Sequence, residues 1–217
     1  IHGDTSPRGP GYREQELNGS FGGSYQGRLQ PLENGSSAVV ADHIALDLTG
    51  SFSLVAWIYP TTPDSGTQAI DSKWSASDRS GYALCLEEDG SVGLRFGDGT
   101  REARVRTGAS IPVYLRSETA YPVGDPLHSS LWLLAAATFD ATTGIATVYQ
   151  LPGTAWPNHP AAGMASAETG VHAVAANDLD LTIAATPGLN DAAPTEHFNG
   201  KIEAPRIYDR VLSAEEI

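Results

Sequence analysis

Turn signals recur about every 8–12 residues along most of this chain, the spacing of an all-β sandwich or barrel. The segments between them are short, β-branched and aromatic. The clearest punctuation is Glu88-Asp89-Gly90 inside GYALCLEEDGSVGLRFGDG (81–99). An Asp-Gly step flanked by alternating apolar residues is a strong hairpin signal. A second hairpin is predicted in LWLLAAATFDATTGIATVYQL (131–151), turning at Asp140 to Gly144. SFSLVAWIYP (51–60) alternates Phe52, Leu54, Ala56 and Ile58 against Ser53, Val55, Trp57 and Tyr59. Both sets are largely apolar, which predicts a strand central in a packed sheet, with Trp57 and Trp132 in the core. QAIDSKW (68–74), REARVRT (101–107) and LDLTIAAT (179–186) read as further strands, and SSAVVADHIAL (36–46) holds a short β-branched run. In REARVRT, Arg101, Ala103 and Val105 alternate with Glu102, Arg104 and Arg106, the pattern of a half-exposed strand. A solvated face explains its arginines, and an anion site is the sharper alternative.

Helix has little room. The candidates are the Ala-rich segment 161–176, which lacks a clean 3.6-residue period, and a final turn after Ser213. Ser213 and Glu216 fit an S-x-x-E capping box. A helix of one turn gains little from a cap. The box at the last residues, and Ile1 in place of a Met, are read as boundaries inside a longer polypeptide. The expected organisation is an extended linker over 1–24 and one sandwich over 25–217. The long irregular stretches 107–130 and 152–178 are rich in Pro, Gly, Ser and His.

Composition narrows the function classes. The formal charge is −13, from 26 acidic and 13 basic residues. A surface this acidic repels a phosphate backbone, so no nucleic-acid partner is expected. No apolar run approaches the ~20 residues of a membrane-spanning helix, so no membrane partner is expected. The one cysteine, Cys85, excludes an internal disulfide and fits a reducing compartment. A bacterial cytoplasmic location is the expectation, with export as the alternative.

Catalytic patterns are missing. Glu87 and Asp89 offer E-x-D, but Gly90-Ser91-Val92 follow where a glycoside hydrolase of this architecture needs a further carboxylate. There is no G-x-S-x-G elbow. His2, His43, His128, His159, His172 and His197 show neither H-x-x-x-H nor H-E-x-x-H spacing. No metal site is therefore expected. For calcium, Asp71, Asp98 and Asp140 are the nearest candidates, although no dense acidic loop is present. Trp74 and Trp156 are the candidate ligand-binding residues, because sugars stack on exposed aromatic faces. Trp74 at a strand end also suits packing, and Trp156 in GTAWPNHP suits an interface anchor.

Three segments together resemble a known family. WLLAAATFDATTGIATVY (132–149) is similar to the laminin-G-like signature through Trp132, Thr138, Phe139, Asp140, Gly144 and Tyr149. QAIDSKWSASDRSGYALCLEEDGSVGLRFGDG (68–99) resembles the preceding block, and FNGKIEAPRIYDRVLSAEEI (198–217) the final strand. The usual Asn-Gly after the Tyr is replaced by Gln150-Leu151-Pro152-Gly153. The resemblance implies a concanavalin A-like jelly roll of two antiparallel sheets over roughly two thirds of the chain, and it is nearly silent on function. IHGDTSPRGPGY (1–12), SKWSASDRSGYAL (72–84), PLHSSLWLL (126–134) and FNGKIEAPRIY (198–208) further resemble the large subunit of N,N-dimethylformamidase and its relatives. Ala204-Pro205 favours that narrower group. Proline cannot donate to a β-ladder, so an edge or a bulge is expected there. This resemblance implies a non-catalytic domain packed against neighbouring domains or subunits. Any amidohydrolase chemistry, with its non-haem iron, would belong to a separate domain further along the chain. The competing expectation is a carbohydrate-binding module of an exported protein, with glycans as partners.

Overall fold

A computed structural model of the chain describes residues 36–60, 63, 66–111, 132–153, 162–189 and 192–217. Eleven strands account for its regular structure: β1 (Ala38–Val40), β2 (Phe52–Pro60), β3 (Gln68–Ser72), β4 (Ser80–Leu86), β5 (Val92–Asp98), β6 (Glu102–Arg106), β7 (Leu133–Asp140), β8 (Ile145–Pro152), β9 (Gly163–Glu168), β10 (Leu181–Ile183) and β11 (Gly200–Tyr208). The only helical element among the described residues is a 3-10 turn at Ile44–Leu46. One sheet runs β1-β10-β3-β4-β5-β6 and the other β11-β2-β7-β8-β9, with every pairing antiparallel. The expected all-β jelly-roll sandwich is what forms.

Both hairpins turn where the sequence predicts. Gly90 has φ +74°, and Asp89 Oδ1 accepts from the Ser91 amide at 3.1 Å. Gly144 has φ +71° and its amide donates to the Asp140 carbonyl at 2.8 Å. Inward-facing residues of both sheets meet in one core. Phe52 and Phe139 of one sheet pack against Tyr82 and Phe96 of the other, with ring centroids 4.5–6.1 Å apart. Such tilted and edge-on contacts suit the aromatic quadrupole. Gln150 also joins the two layers. Its side-chain oxygen accepts from the Val92 amide at 2.8 Å, and its nitrogen donates to the Ala109 carbonyl at 2.7 Å.

Two local expectations change. The Ala-rich stretch contains strand β9 and no helix, because small residues without a 3.6-residue period pair with β8 from Gly163 to Glu168. Residues 214–216 form a turn and no helix. Half of the capping pattern is present: the Ser213 amide donates to Glu216 Oε2 at 2.9 Å, while the Glu216 amide returns to the Ser213 carbonyl. The proline expectation is met on both counts. β11 is an edge strand, its register breaks between Glu203 and Arg206, and Ala204 takes φ +48°.

Candidate functional site

The outer face of the five-stranded sheet carries apolar rows assembled by register. Trp57 lies opposite Leu134, and Leu134 opposite Leu151. In the next row Val55, Ala136, Tyr149 and Met164 follow one another across four strands. These side chains point away from the core by strand alternation. Trp57 is 37% exposed and Met164 65%, and Leu151 and Ile145 are also exposed. Tyr59 and Trp132 pack edge-on at 5.7 Å beside this belt, and the Lys201 ammonium lies 5.4 Å from the Tyr59 ring. Trp57 and Trp132 are thus not core residues, contrary to the sequence expectation. The two apolar faces of β2 look alike in sequence, and only the packing of the second sheet selects one of them.

The outer face of the six-stranded sheet is built differently. Small residues, Ala83, Gly93 and Gly97, floor it, and a buried polar network fills it. Arg95 reaches Glu196 at 3.4 Å and lies 5.9 Å from the Trp74 ring. Glu87 sits between Arg104, at 3.2 Å, and the Cys85 thiol, at 3.5 Å. Thr186 donates to Glu196 at 2.6 Å. Burial, followed by the nearby Glu87 charge, pushes the Cys85 thiol well above its ordinary value, so it is not an activated nucleophile. The arginines of β6 are already matched: Arg104 with Glu87 and Glu102, and Arg106 with Asp89. Each cation has a local carboxylate, which accounts for the pattern without an external anion.

A third cluster sits where β1, β3 and β10 meet. Lys73, 1% exposed, points its ammonium at Asp42 (2.7 Å), at Asp47 (3.2 Å) and at the carbonyl of Asn177. The hydrogen bond from Lys73 holds the Asp42 carboxyl below its ordinary range. Gly81 makes this approach possible: with φ +80°, any Cβ there would lie 1.8 Å from the Lys73 carbonyl oxygen. Two residues earlier Asp71 is also 1% exposed, and neither of its carboxylate oxygens has a hydrogen-bond partner. Burial raises it to about 7. A register shift in β3 between Ala69 and Asp71 brings Asp71 opposite Leu84, on the core side.

Of the residues singled out from sequence, Trp74 is 1% exposed and covered by Arg95, a position that fits its packing role. Trp156 lies outside the described residues. The calcium candidates do not converge. Asp98 caps the β5–β6 turn through Thr100 and Arg101, and the Thr100 hydroxyl helps hold it at about 2. Asp140 caps the β7–β8 turn through Thr142 and Thr143. His43, His172 and His197 each contact backbone groups. Among the described residues no group of three or more His, Cys, Asp or Glu is arranged to hold a metal, so the donor set for a non-haem iron is not assembled there. No helix of the described residues is long and apolar enough to cross a membrane.

Known proteins give two independent comparisons. No protein-family model matches the chain. The N,N-dimethylformamidase beta subunit of Paracoccus aminophilus is 30% identical over 239 aligned residues, and that of an Alcaligenes species is 32% identical over 234. Both alignments take in the whole of this chain, which spans 28% of each relative's length. In structure, the CBM40 of the Ruminococcus gnavus IT-sialidase bound to alpha2,3 sialyllactose superimposes with a TM-score of 0.54 at 12% identity. That match covers 83% of this chain and 94% of the module. At that identity it shows the sandwich architecture alone.

Proposed function

We propose that this chain is a non-catalytic sandwich domain of a larger amidohydrolase similar to the N,N-dimethylformamidase beta subunit. The observation that carries the reading is the alignment over the whole chain at 30% and 32% identity. The buried networks support it, because Arg95 and Arg104 are matched by Glu196 and Glu87 and the Cys85 thiol is held un-ionised. The domain's role is packing. The belt of Trp57, Leu151, Tyr149 and Met164 seats against a neighbouring domain or subunit, which removes its apolar surface from water. A laminin-G-like domain of the concanavalin A-like superfamily is the finer assignment. Its support is that the motif residues Trp132 to Tyr149 bracket the β7–β8 hairpin. Iron and substrate chemistry belong, on this reading, to a different part of the parent, which works in a bacterial cytoplasm.

The test compares the uninterrupted parent gene product, purified with iron, with this chain alone. Both are assayed for amine release from small formamides and other simple amides. Activity in the parent and none in the chain supports the assignment. Silence from both overturns it and moves soluble-glycan screening, read by melting temperature, to the front.

A further inference from the structure

The Lys73 ammonium sits in a cage of oxygens drawn from two separate segments. Asp42 Oδ1 and Asp47 Oδ1 come from the connection that follows β1. The Asn177 carbonyl and Asn177 Oδ1, the latter at 3.4 Å, come from the segment before β10. The shell around it is organised as well. Asn177 donates to the Lys73 carbonyl at 3.0 Å and to the Ser80 hydroxyl at 3.2 Å. The Asp42 amide donates to Asp180 at 2.9 Å. Two carboxylates, a carbonyl and an amide oxygen around one buried positive charge are the oxygen donors that hard cations take. An ammonium has only three protons for four oxygens. Asp47 Oδ1 is the one left over: buried, 3.2 Å from the nitrogen, and without a hydrogen bond.

We propose that Lys73 is a resident cation, occupying a site that would otherwise take a divalent ion of the calcium class. The side chain delivers the positive charge covalently, so this end of the sheet is cross-linked without a metal. Removing the ammonium leaves two carboxylates facing each other across a cavity with carbonyl oxygens already in place. The vacated cage then binds calcium, with water completing its coordination.

The experiment uses the 217-residue chain and the variants Lys73→Ala and Lys73→Gln, melted in chelator, in calcium chloride, and in sodium chloride of equal ionic strength. The native chain should melt at one temperature in all three. Lys73→Ala should melt lower in chelator and rise by about 3–6 °C when calcium reaches roughly tenfold its Kd. Adding Asp42→Asn to Lys73→Ala should abolish that rise. Lys73→Gln, which returns an amide oxygen to the cage, serves where the alanine variant folds poorly. An equal rise in sodium chloride, an equal calcium response in the native chain, or failure of both variants to recover in calcium would each overturn the proposal.

Discussion

Asp71 offers the sharpest test of how this core is held together. Its carboxyl is buried, lacks hydrogen-bond partners, and titrates at about 7 against an ordinary 3.8. The folded state therefore keeps a proton that the unfolded chain has already lost. Its contribution is complete below about pH 4, declines as pH rises to about 7, and is gone above that. A shift of this size costs about 4 kcal/mol at pH 8 and about 2 kcal/mol at pH 5.5, at 1.36 kcal/mol for each pKa unit. Asp71→Asn keeps the shape and removes the charge. Its own burial adds an offset that does not depend on pH, so the slope is the informative quantity. The variant should gain about 2 kcal/mol on the native chain between pH 5.5 and pH 8, or roughly 4–8 °C in melting temperature. Urea denaturation of both proteins at the two pH values measures this directly. Every other carboxylate is common to the pair and cancels in the difference. A difference that stays flat with pH would refute the assignment of a protonated, unpartnered carboxyl in the core.

Three further outcomes are expected. Gly81→Ala should destabilise the chain by about 3 kcal/mol or more in urea melts, since it combines a disfavoured backbone conformation with a clash on the Lys73 carbonyl. Cys85 should resist a thiol reagent in the native chain and react once per chain after unfolding, because the thiol is buried and its ionisation suppressed. Trp57→Gln combined with Met164→Gln should change the melting temperature little, yet weaken association with the remainder of the parent polypeptide in sedimentation or pull-down assays.

Local chemistry explains what could be read in advance. Hairpins announce themselves through residues adjacent in sequence, so Asp89-Gly90 and Asp140 to Gly144 sufficed. Proline's missing N–H made an edge or a bulge at Ala204-Pro205 an expectation before the strand order was known. Partners distant in sequence stayed hidden. Lys73 reads as an ordinary strand-end lysine until Asp42, Asp47 and Asn177 come together around it. Asp71 reads as a calcium candidate until the β3 register shift brings it to the core side. Trp57 and Leu54 share one strand and look equally apolar, and the sheet that covers only one of them lies elsewhere in the chain.

The bulged, proline-bearing β11 also limits how such domains can meet. Growth of a fibre by strand addition needs two receptive edges on every unit, one to receive and one to offer. The five-stranded sheet is blunted at β11, where the ladder is out of register and Pro205 has no N–H to give. Of this sheet's two edges the β9 side keeps a regular ladder, so joining through this sheet stops at a pair. With joining through this sheet's edges arrested at two units, an apolar belt on its face can be kept for a partner without those edges feeding a polymer.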